Sequence, residues 1–462
     1  MSATRLSPLD ASFLAVESAR APMHVGWVAA FDGPSPGFAA VRDHLAERLQ
    51  DASRYRQTLA PVPLGVHDPL WVDDPGFDID AHVLHAEGRD LDEIVDGILS
   101  TRLPRDRPLW QIWIADGLPG GGFAMIGKMH HCMVDGAAVA ELGRRVLDAD
   151  PSPQNAAGTG IAQPGSGDIA GAAAGRPPSA PSPVARLARG AIDRARDGAR
   201  LVLAPARVAT SPDRMRALPS LARTAVHTLL PPAPGSSLNT AGTGARRHVR
   251  VSRPLDDLRA VRKHFGVAPN DVILAACTGA LRRMAERRGE PPRRLKVMVP
   301  ADVRGAADDP AAGNRITFVF HELPCDEPDP LARLEAIGEV TAQRRRDGDA
   351  EAMDAGFGVL ALTPPPVQRV LAHAFAHPRL FNVTISSVAG PAVPRYVLGC
   401  RLAAVHSAVP LSGRHTLSIG VVTVAGRVCF GLLADAVALR DADEVGADVC
   451  KSFDELVEAA HA

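Results

Sequence analysis

Apolar and polar positions along this 462-residue chain change period again and again, and each change marks an element. Val25 to Phe31 is an apolar run of strand length. Phe38 to Leu49 repeats its apolar residues at helical spacing, and a second apolar run surrounds Leu70-Trp71-Val72. Leu91 to Leu103 predicts a helix, Leu109 to Ala115 a strand, Phe123 to His131 a buried strand, and Ala137 to about Leu147 a helix. A second series follows. Leu255 to Phe265 and Val272 to Arg288 read as helices, the latter with Asn270 or Asp271 placed to cap it. Leu295 to Pro300 and Ile316 to Leu323 predict strands, and Pro330 to Arg346 a helix. Asn382 to Val388, Ala403 to Ala408, Leu417 to Val424 and Val428 to Ala434 predict four more strands. The last two form a hairpin turning at Ala425-Gly426, and Asp443 to Ala459 is a closing amphipathic helix. Alternation of this kind argues for an α/β protein whose sheets are covered by helices.

The pattern divides into a first unit, 1–150, and a second, 251–462, alike in composition and order although no sequence repeat is visible. Two stretches separate them. Pro151 to Pro183 is mostly Ala, Gly, Pro and Ser, which predicts a flexible linker. Residues 184–250 carry twelve Arg against three Asp and no Lys. Within this crossover Arg186, Arg189, Arg194, Arg196 and Arg200 interleave with Leu187, Ile192, Leu201 and Leu203. Two readings stand: an interfacial helix touching anionic lipid, or a charged helix bridging the two units.

Length alone supports two domains. A hydrophobic fraction of 46% with 22% charged residues is that of a globular chain. The net charge of −1 supplies no field to recruit nucleic acid. Six scattered cysteines without a C-x-x-C pair predict reduced thiols and no zinc site. The first ten residues lack the apolar core of a signal peptide, and no apolar run approaches the ~20 residues of a membrane span. A cytoplasmic protein, peripheral to a membrane at most, is expected.

The densest chemistry is His130-His131-Cys132-Met133-Val134-Asp135-Gly136, H-H-x-x-x-D-G. A neutral imidazole can take and return a proton near neutral pH. Side chains alternate along a strand. His131 therefore shares a face with Met129, Met125 and Phe123, and His130 shares the other with Ile126 and Ala124, so the two have different jobs. Asp135-Gly136 predicts a tight turn, with Gly taking backbone angles that other residues avoid. Cys132 beside His131 invites a nucleophile reading, but neighbours in a strand face opposite ways. The same alternation argues against a metal held by His130, His131 and Asp135.

With these residues in view, the chain resembles the bacterial wax ester synthase/diacylglycerol acyltransferase family. That family belongs to the coenzyme A-dependent acyltransferases that share H-H-x-x-x-D-G with chloramphenicol acetyltransferase and peptide-synthetase condensation domains. The resemblance runs nearly full length. It includes Leu6-Ser7-Pro8-Leu9-Asp10, Pro22-Met23-His24-Val25, Pro108-Leu109-Trp110, Asn270-Asp271-Val272 and Gly313-Asn314-Arg315. The chain departs from the family pattern at Ser387 and Ala389, where Asn and Pro are usual, at Pro300-Ala301-Asp302-Val303-Arg304, and at Cys132.

The resemblance implies two chloramphenicol-acetyltransferase-like domains, with the active site in a tunnel between them. It implies acyl transfer from a long-chain acyl-CoA, a substrate and not a cofactor, to diacylglycerol or a long-chain alcohol. His131 is the expected general base and His130 a support of the strand end. Asp135 is expected to anchor its loop, pairing with an arginine such as Arg304 or Arg315. Asn270 is a candidate oxyanion donor, against helix capping, with Asp271 beside it and the Gly136 N–H as an alternative. Pro108, Leu109 and Trp110 are expected to shape the acyl path or the sheet edge, with Trp110 also fitting a plain core position. A greasy acceptor implies contact with a membrane or lipid droplet, for which the Arg-rich crossover is the candidate. Two alternatives share the motif: a carrier-protein-dependent condensation-type acyltransferase, and a non-catalytic lipid-droplet protein.

Overall fold

Two six-stranded mixed sheets, each flanked by helices, organise the protein in a computed structural model that describes residues 3–88, 90–119, 121–152, 181–209, 212–303 and 316–462. The first part of the chain runs β1 (Thr4–Arg5), α1 (Pro8–Val16), β2 (His24–Phe31), α2 (Phe38–Leu49), β3 (Gln57–Ala60), β4 (Leu70–Asp73) and β5 (Val83–His85). It continues with α3 (Leu91–Ser100), β6 (Trp110–Ala115), β7 (Phe123–His130) and α4 (Gly136–Val146). Two crossover helices follow, α5 (Pro183–Ala209) and α6 (Pro212–Leu229). Then come β8 (Arg246–Pro254), α7 (Leu255–Phe265), α8 (Pro269–Arg287), β9 (Leu295–Asp302), β10 (Ile316–Leu323), α9 (Pro330–Asp347), α10 (Asp349–Leu360) and α11 (Pro365–Phe375). The chain closes with β11 (Val383–Ala389), β12 (Tyr396–Val397), β13 (Cys400–Ala408), β14 (Leu417–Val424), β15 (Arg427–Asp435) and α12 (Ala442–His461).

Every strand and helix expected from the periodicity is present, with ends displaced by a few residues. Helix α1 is not foreseen by the apolar pattern because it is short. Its start is still written locally: the Ser7 hydroxyl accepts from the Asp10 N–H at 3.0 Å, and Pro8 occupies the first turn. Helices α10 and α11 are likewise additional. The linker 151–183 lies largely outside the described residues.

Sheet order corrects the division into two units. The first sheet runs β12-β13-β2-β7-β6-β5, so its first two members, β12 and β13, come from the far end of the chain. Strand β13 pairs antiparallel with β2, Ala408 opposite Gly26 and Val405 opposite Ala29. The second sheet runs β10-β9-β11-β14-β15-β8, and its edge strand begins at Arg246, inside the stretch read as crossover. Each half thus lends a piece to the other. The exchanged strand also makes the seam, since β13 packs on β14 and β15 of the second sheet.

That seam depends on two missing side chains. Gly420 and Gly431 face each other across β14 and β15. A Cβ on Gly431 would lie 2.1 Å from the Ser407 carbonyl oxygen, and one on Gly420 would lie 2.2 Å from Ser407 Oγ. The first obstacle is backbone and cannot swing away. Gly431→Ala is therefore expected to destabilise the protein by at least the ~1–3 kcal/mol of ordinary overpacking. A urea unfolding midpoint equal to that of the parent protein would disprove this account of the seam.

Helix α5 bridges the halves. Its Asp193 pairs with Arg5 at 2.6 Å and its Asp197 with His67 at 3.1 Å on the first half. Its Arg194 donates to the Leu362 and Thr363 carbonyls of the second half at 2.9 and 3.0 Å. Of the two readings of the Arg-rich stretch, the bridging one describes α5. Each sheet also holds a buried lysine that binds a helix end. Lys128 of β7 donates to the Ile98 and Thr101 carbonyls at the C-terminal end of α3 at 2.8 and 3.2 Å. Lys296 of β9 donates to the His227, Thr228 and Pro231 carbonyls at the end of α6. A cation there meets the negative end of the helix dipole.

Candidate active site

Strand β7 is buried on both faces. Phe123, Met125 and Met129 pack in one apolar cluster with Phe13, Leu45 and Trp110; Ala124 and Ile126 pack in another with Val95 and Leu99. The alternation read from the sequence is thus real. It delivers the two histidines to different surroundings at the strand end, where the His130 N–H bonds to the Leu109 carbonyl and the His131 N–H to the Met23 carbonyl.

His130 is wholly buried in a polar nest. Its Nδ1 accepts from the Cys132 N–H at 3.1 Å, which leaves the proton on Nε2. That nitrogen faces the Glu17 carboxylate at 3.4 Å and Arg105 Nη2 at 3.3 Å. Glu17, almost without solvent exposure, also receives Arg102 at 2.8 Å, Arg105, and the Met23 N–H at 3.3 Å, with His24 at 3.5 Å. Burial pulls the Glu17 carboxyl upward, but His130 and the two arginines outweigh it and hold its pKa far below the usual range. Burial lowers the pKa of His130, and lowers that of His24 to about 2 with His130 and Lys128 adding to the effect. Both shifts favour the neutral ring. Glu17 was missed in the sequence because it follows α1 by one residue and carries no motif of its own.

His131 is half-buried and stands just past the strand. Its ring stacks on Phe13 of α1, centroids 3.9 Å apart and planes inclined by 6°. Burial pushes its pKa down to about 4. The carbonyls of His131 and Val134 and the Asp135 carboxylate work the other way, and His130 adds to the lowering. The ring is neutral at pH 7 and has groups at hand that favour its charged form. That combination suits a base that must hold a proton briefly.

Asp135 is fully buried and caps α4, accepting from the Ala138 N–H at 2.9 Å. The arginines expected to pair with it, Arg304 and Arg315, lie outside the described residues. Gly136 departs from the sequence reading. It is the first residue of α4 and has no left-handed backbone. What it contributes is room: a Cβ there would lie 3.1 Å from Val388 Cγ2 on β11 of the second sheet. The histidine motif therefore meets the other half of the protein at Gly136, beside the Ser387–Ala389 departures.

Asn270 and Asp271 are not the cap of α8. The cap is Ala268, and Asp271, three residues on in the first turn, accepts from the Ala268 N–H at 2.9 Å and from the Thr341 hydroxyl at 2.7 Å. This buried carboxylate ties α8 to α9 and lines an outer groove of about 1170 Å³ bounded by α9 residues such as Leu334 and Arg345. Leu109 and Trp110 are fully buried. Trp110 donates its indole N–H to the Tyr55 carbonyl at 2.7 Å and stacks on His82 at 4.6 Å, which is a core position at the sheet. Cys132 is sealed in, and burial raises its thiol pKa well above the ordinary value, so a thiolate nucleophile is not at hand.

The wax ester synthase/diacylglycerol acyltransferase catalytic domain matches residues 6–273, and the C-terminal domain of the same family matches residues 312–457. A Mycobacterium tuberculosis protein named as a diacylglycerol O-acyltransferase is 32% identical over 479 residues, covering 99% of this chain and 98% of its own. A Mycobacterium bovis protein of the same name is 31% identical over 455 residues, covering 93% of each. Among solved structures, the wax ester synthase/diacylglycerol acyltransferase from Marinobacter aquaeolei shares the fold with a TM-score of 0.69 at 24% identity, covering 99% of this chain and 100% of that one. The first condensation domain of the calcium-dependent antibiotic synthetase does so with a TM-score of 0.61 at 15% identity, covering 100% and 97%. The chain belongs to the wax ester synthase/diacylglycerol acyltransferase family.

Proposed function

We propose that this protein moves a long-chain acyl group from acyl-CoA to the hydroxyl of diacylglycerol or of a long-chain alcohol, with His131 as general base. The observation that carries the reading is a His131 stacked on Phe13 at the end of β7, five residues before Gly136 meets Val388 of the second sheet, in a chain of this family. The acceptor O–H gives its proton to the imidazole as oxygen attacks the thioester carbonyl. The C–O bond forms, the tetrahedral intermediate collapses, the C–S bond breaks, and the imidazolium returns the proton to the thiolate. No covalent enzyme intermediate is required. Helix α4 starts at Gly136, five residues after His131, and the Gly136 N–H is the candidate donor to the developing oxyanion. Purified protein is incubated with palmitoyl-CoA and either diacylglycerol or hexadecanol, following free thiol and lipid product. Product from neither alcohol overturns the reading; activity only with a phosphopantetheine carrier assigns the protein to the condensation type.

The acceptor brings the protein to a lipid surface, and α6 is a candidate for that contact. Its inner face is polar: Thr224 bonds to Asp349 at 2.7 Å and Ser220 to the Asp347 carbonyl at 3.0 Å. Its outer face presents Met215, Leu218, Val226 and Leu229 to solvent. An apolar stripe turned outward is the pattern of an interfacial helix. No helix among the described residues is long and apolar enough to cross a membrane. Co-sedimentation with phosphatidylglycerol vesicles is expected, and Leu218→Glu/Val226→Glu is expected to reduce the bound fraction severalfold. Equal binding by both proteins would move the contact elsewhere.

A further inference from the structure

Helix α1 lies more than a hundred residues before the histidine motif, yet it supplies a neighbour to each histidine. Phe13 covers His131, and four residues on, where the helix has just ended, Glu17 holds His130. The Phe13 contact is face to face: centroids at 3.9 Å, planes 6° apart. Such a stack covers one π face of the imidazole and leaves the ring edge, where the nitrogens sit, clear of the phenyl ring. Phe13 is itself 7% exposed and fixed in the first-half core, so it cannot swing aside. Nothing in the polar pattern of the site requires an aromatic ring at this position; a Leu would fill the core equally well.

We infer that Phe13 is a positioning residue for the His131 base, setting the plane of the imidazole and keeping water off one of its faces. This rests on the assignment of His131 as base. The groups that act on His131 electrostatically are Asp135 and His130 on its own turn, with the His131 and Val134 carbonyls; Asp10 and Glu17 on or just after α1, Arg54 before β3 and Arg105 before β6 act on the neighbouring Cys132. Phe13 carries no charge, so its effect is to define geometry and hydration while these charges stay as they are. Helix α1 also packs against α11 of the second half. The plane of the base is thereby tied to the way the two halves sit together.

Phe13→Leu, Phe13→Ala and Phe13→Trp separate the possibilities in the full-length protein. With palmitoyl-CoA and hexadecanol, Phe13→Leu is expected to lower kcat about 10- to 100-fold, the scale of a misplaced catalytic group, with KM nearly unchanged. Phe13→Ala admits water, so the acid limb of kcat/KM moves upward toward the ordinary histidine value of about 6.5. Phe13→Trp restores a stacking surface and recovers most of kcat. The His131 ring titration, followed by NMR on isotope-labelled protein, reads the same shift without activity. Unfolding midpoints show whether each variant is folded. A folded Phe13→Leu or Phe13→Ala with the parent's kcat, pH profile and ring titration would overturn the inference, because a mere core filler predicts that result. Activity of His131→Ala equal to that of the parent would instead overturn the base assignment, so the two failures are distinguishable.

Discussion

Replacing His131 by Ala is expected to lower acyl transfer by about 10²- to 10⁴-fold, the contribution of a well-placed general base, without unfolding the protein. The ring is half-buried at the end of a strand, its stack with Phe13 is one contact in a large cluster, and its backbone N–H bond to Met23 survives the change. KM for palmitoyl-CoA should move little, since the proton transfer is felt in the transition state. His130→Ala behaves differently. It removes the acceptor of the Cys132 N–H and the partner of Glu17, leaving a buried carboxylate with fewer donors. Its loss of activity is therefore expected to come with a lowered unfolding midpoint. The comparison requires thiol release and thermal unfolding on the same preparations. Parent-like rates for His131→Ala, or a His130→Ala protein as stable as the parent and inactive, would reverse the roles given to the two rings.

Acid is expected to unfold this protein while most carboxylates are still ionised. His24, His248, His321 and His406 are buried, and burial lowers their pKa values to about 2, 3, 4 and 4. In the unfolded chain each titrates near 6.5. Between those values the unfolded state binds more protons than the folded state, so stability falls as pH falls. The loss begins near pH 6.5 and deepens toward pH 4. Each histidine contributes about 1.4 kcal/mol per pH unit in that window, against a total stability on the order of 5–15 kcal/mol. Two of the four sit at the seam: His248 faces the Ser407 carbonyl at 3.2 Å and His406 the Ser252 hydroxyl at 3.0 Å. Urea midpoints measured from pH 7.5 to 4.5 should fall steadily below 6.5. A flat profile down to pH 5 would show that these rings are already hydrated in the folded state.

Much of the architecture was legible because periodicity reports burial, and burial is what places these strands and helices. The strand of Phe123 to His130 and the different surroundings of its two histidines follow from alternation alone. What stayed hidden shares one physical cause: it depends on contacts distant in sequence. Strand β13 looks like any strand of the second unit, and only pairing reveals that it completes the first sheet. Gly136 reads as a turn glycine, yet its role is to make room for Val388, 252 positions later in the numbering and on another sheet. Asp271 looks like a helix cap from its place before an apolar run; the helix begins two residues earlier, and the carboxylate is used at its third position. Phe13 and Glu17 carry no local signal for chemistry. Their part in the site appears only when α1 is laid across the end of β7.

The two buried lysines have a consequence for how this protein can be regulated. The chain has four lysines, and the other two, Lys263 and Lys451, are exposed on helices of the second half. Acetylation, or any other covalent change of a side-chain amine, therefore finds few targets on the folded surface and none in the first half. Lys128 and Lys296 become reachable only if a helix end lifts from its sheet, and a modified amine could no longer hold that end in place. An enzyme that handles activated acyl groups thus keeps half of its own side-chain amines where a stray acyl donor cannot reach them.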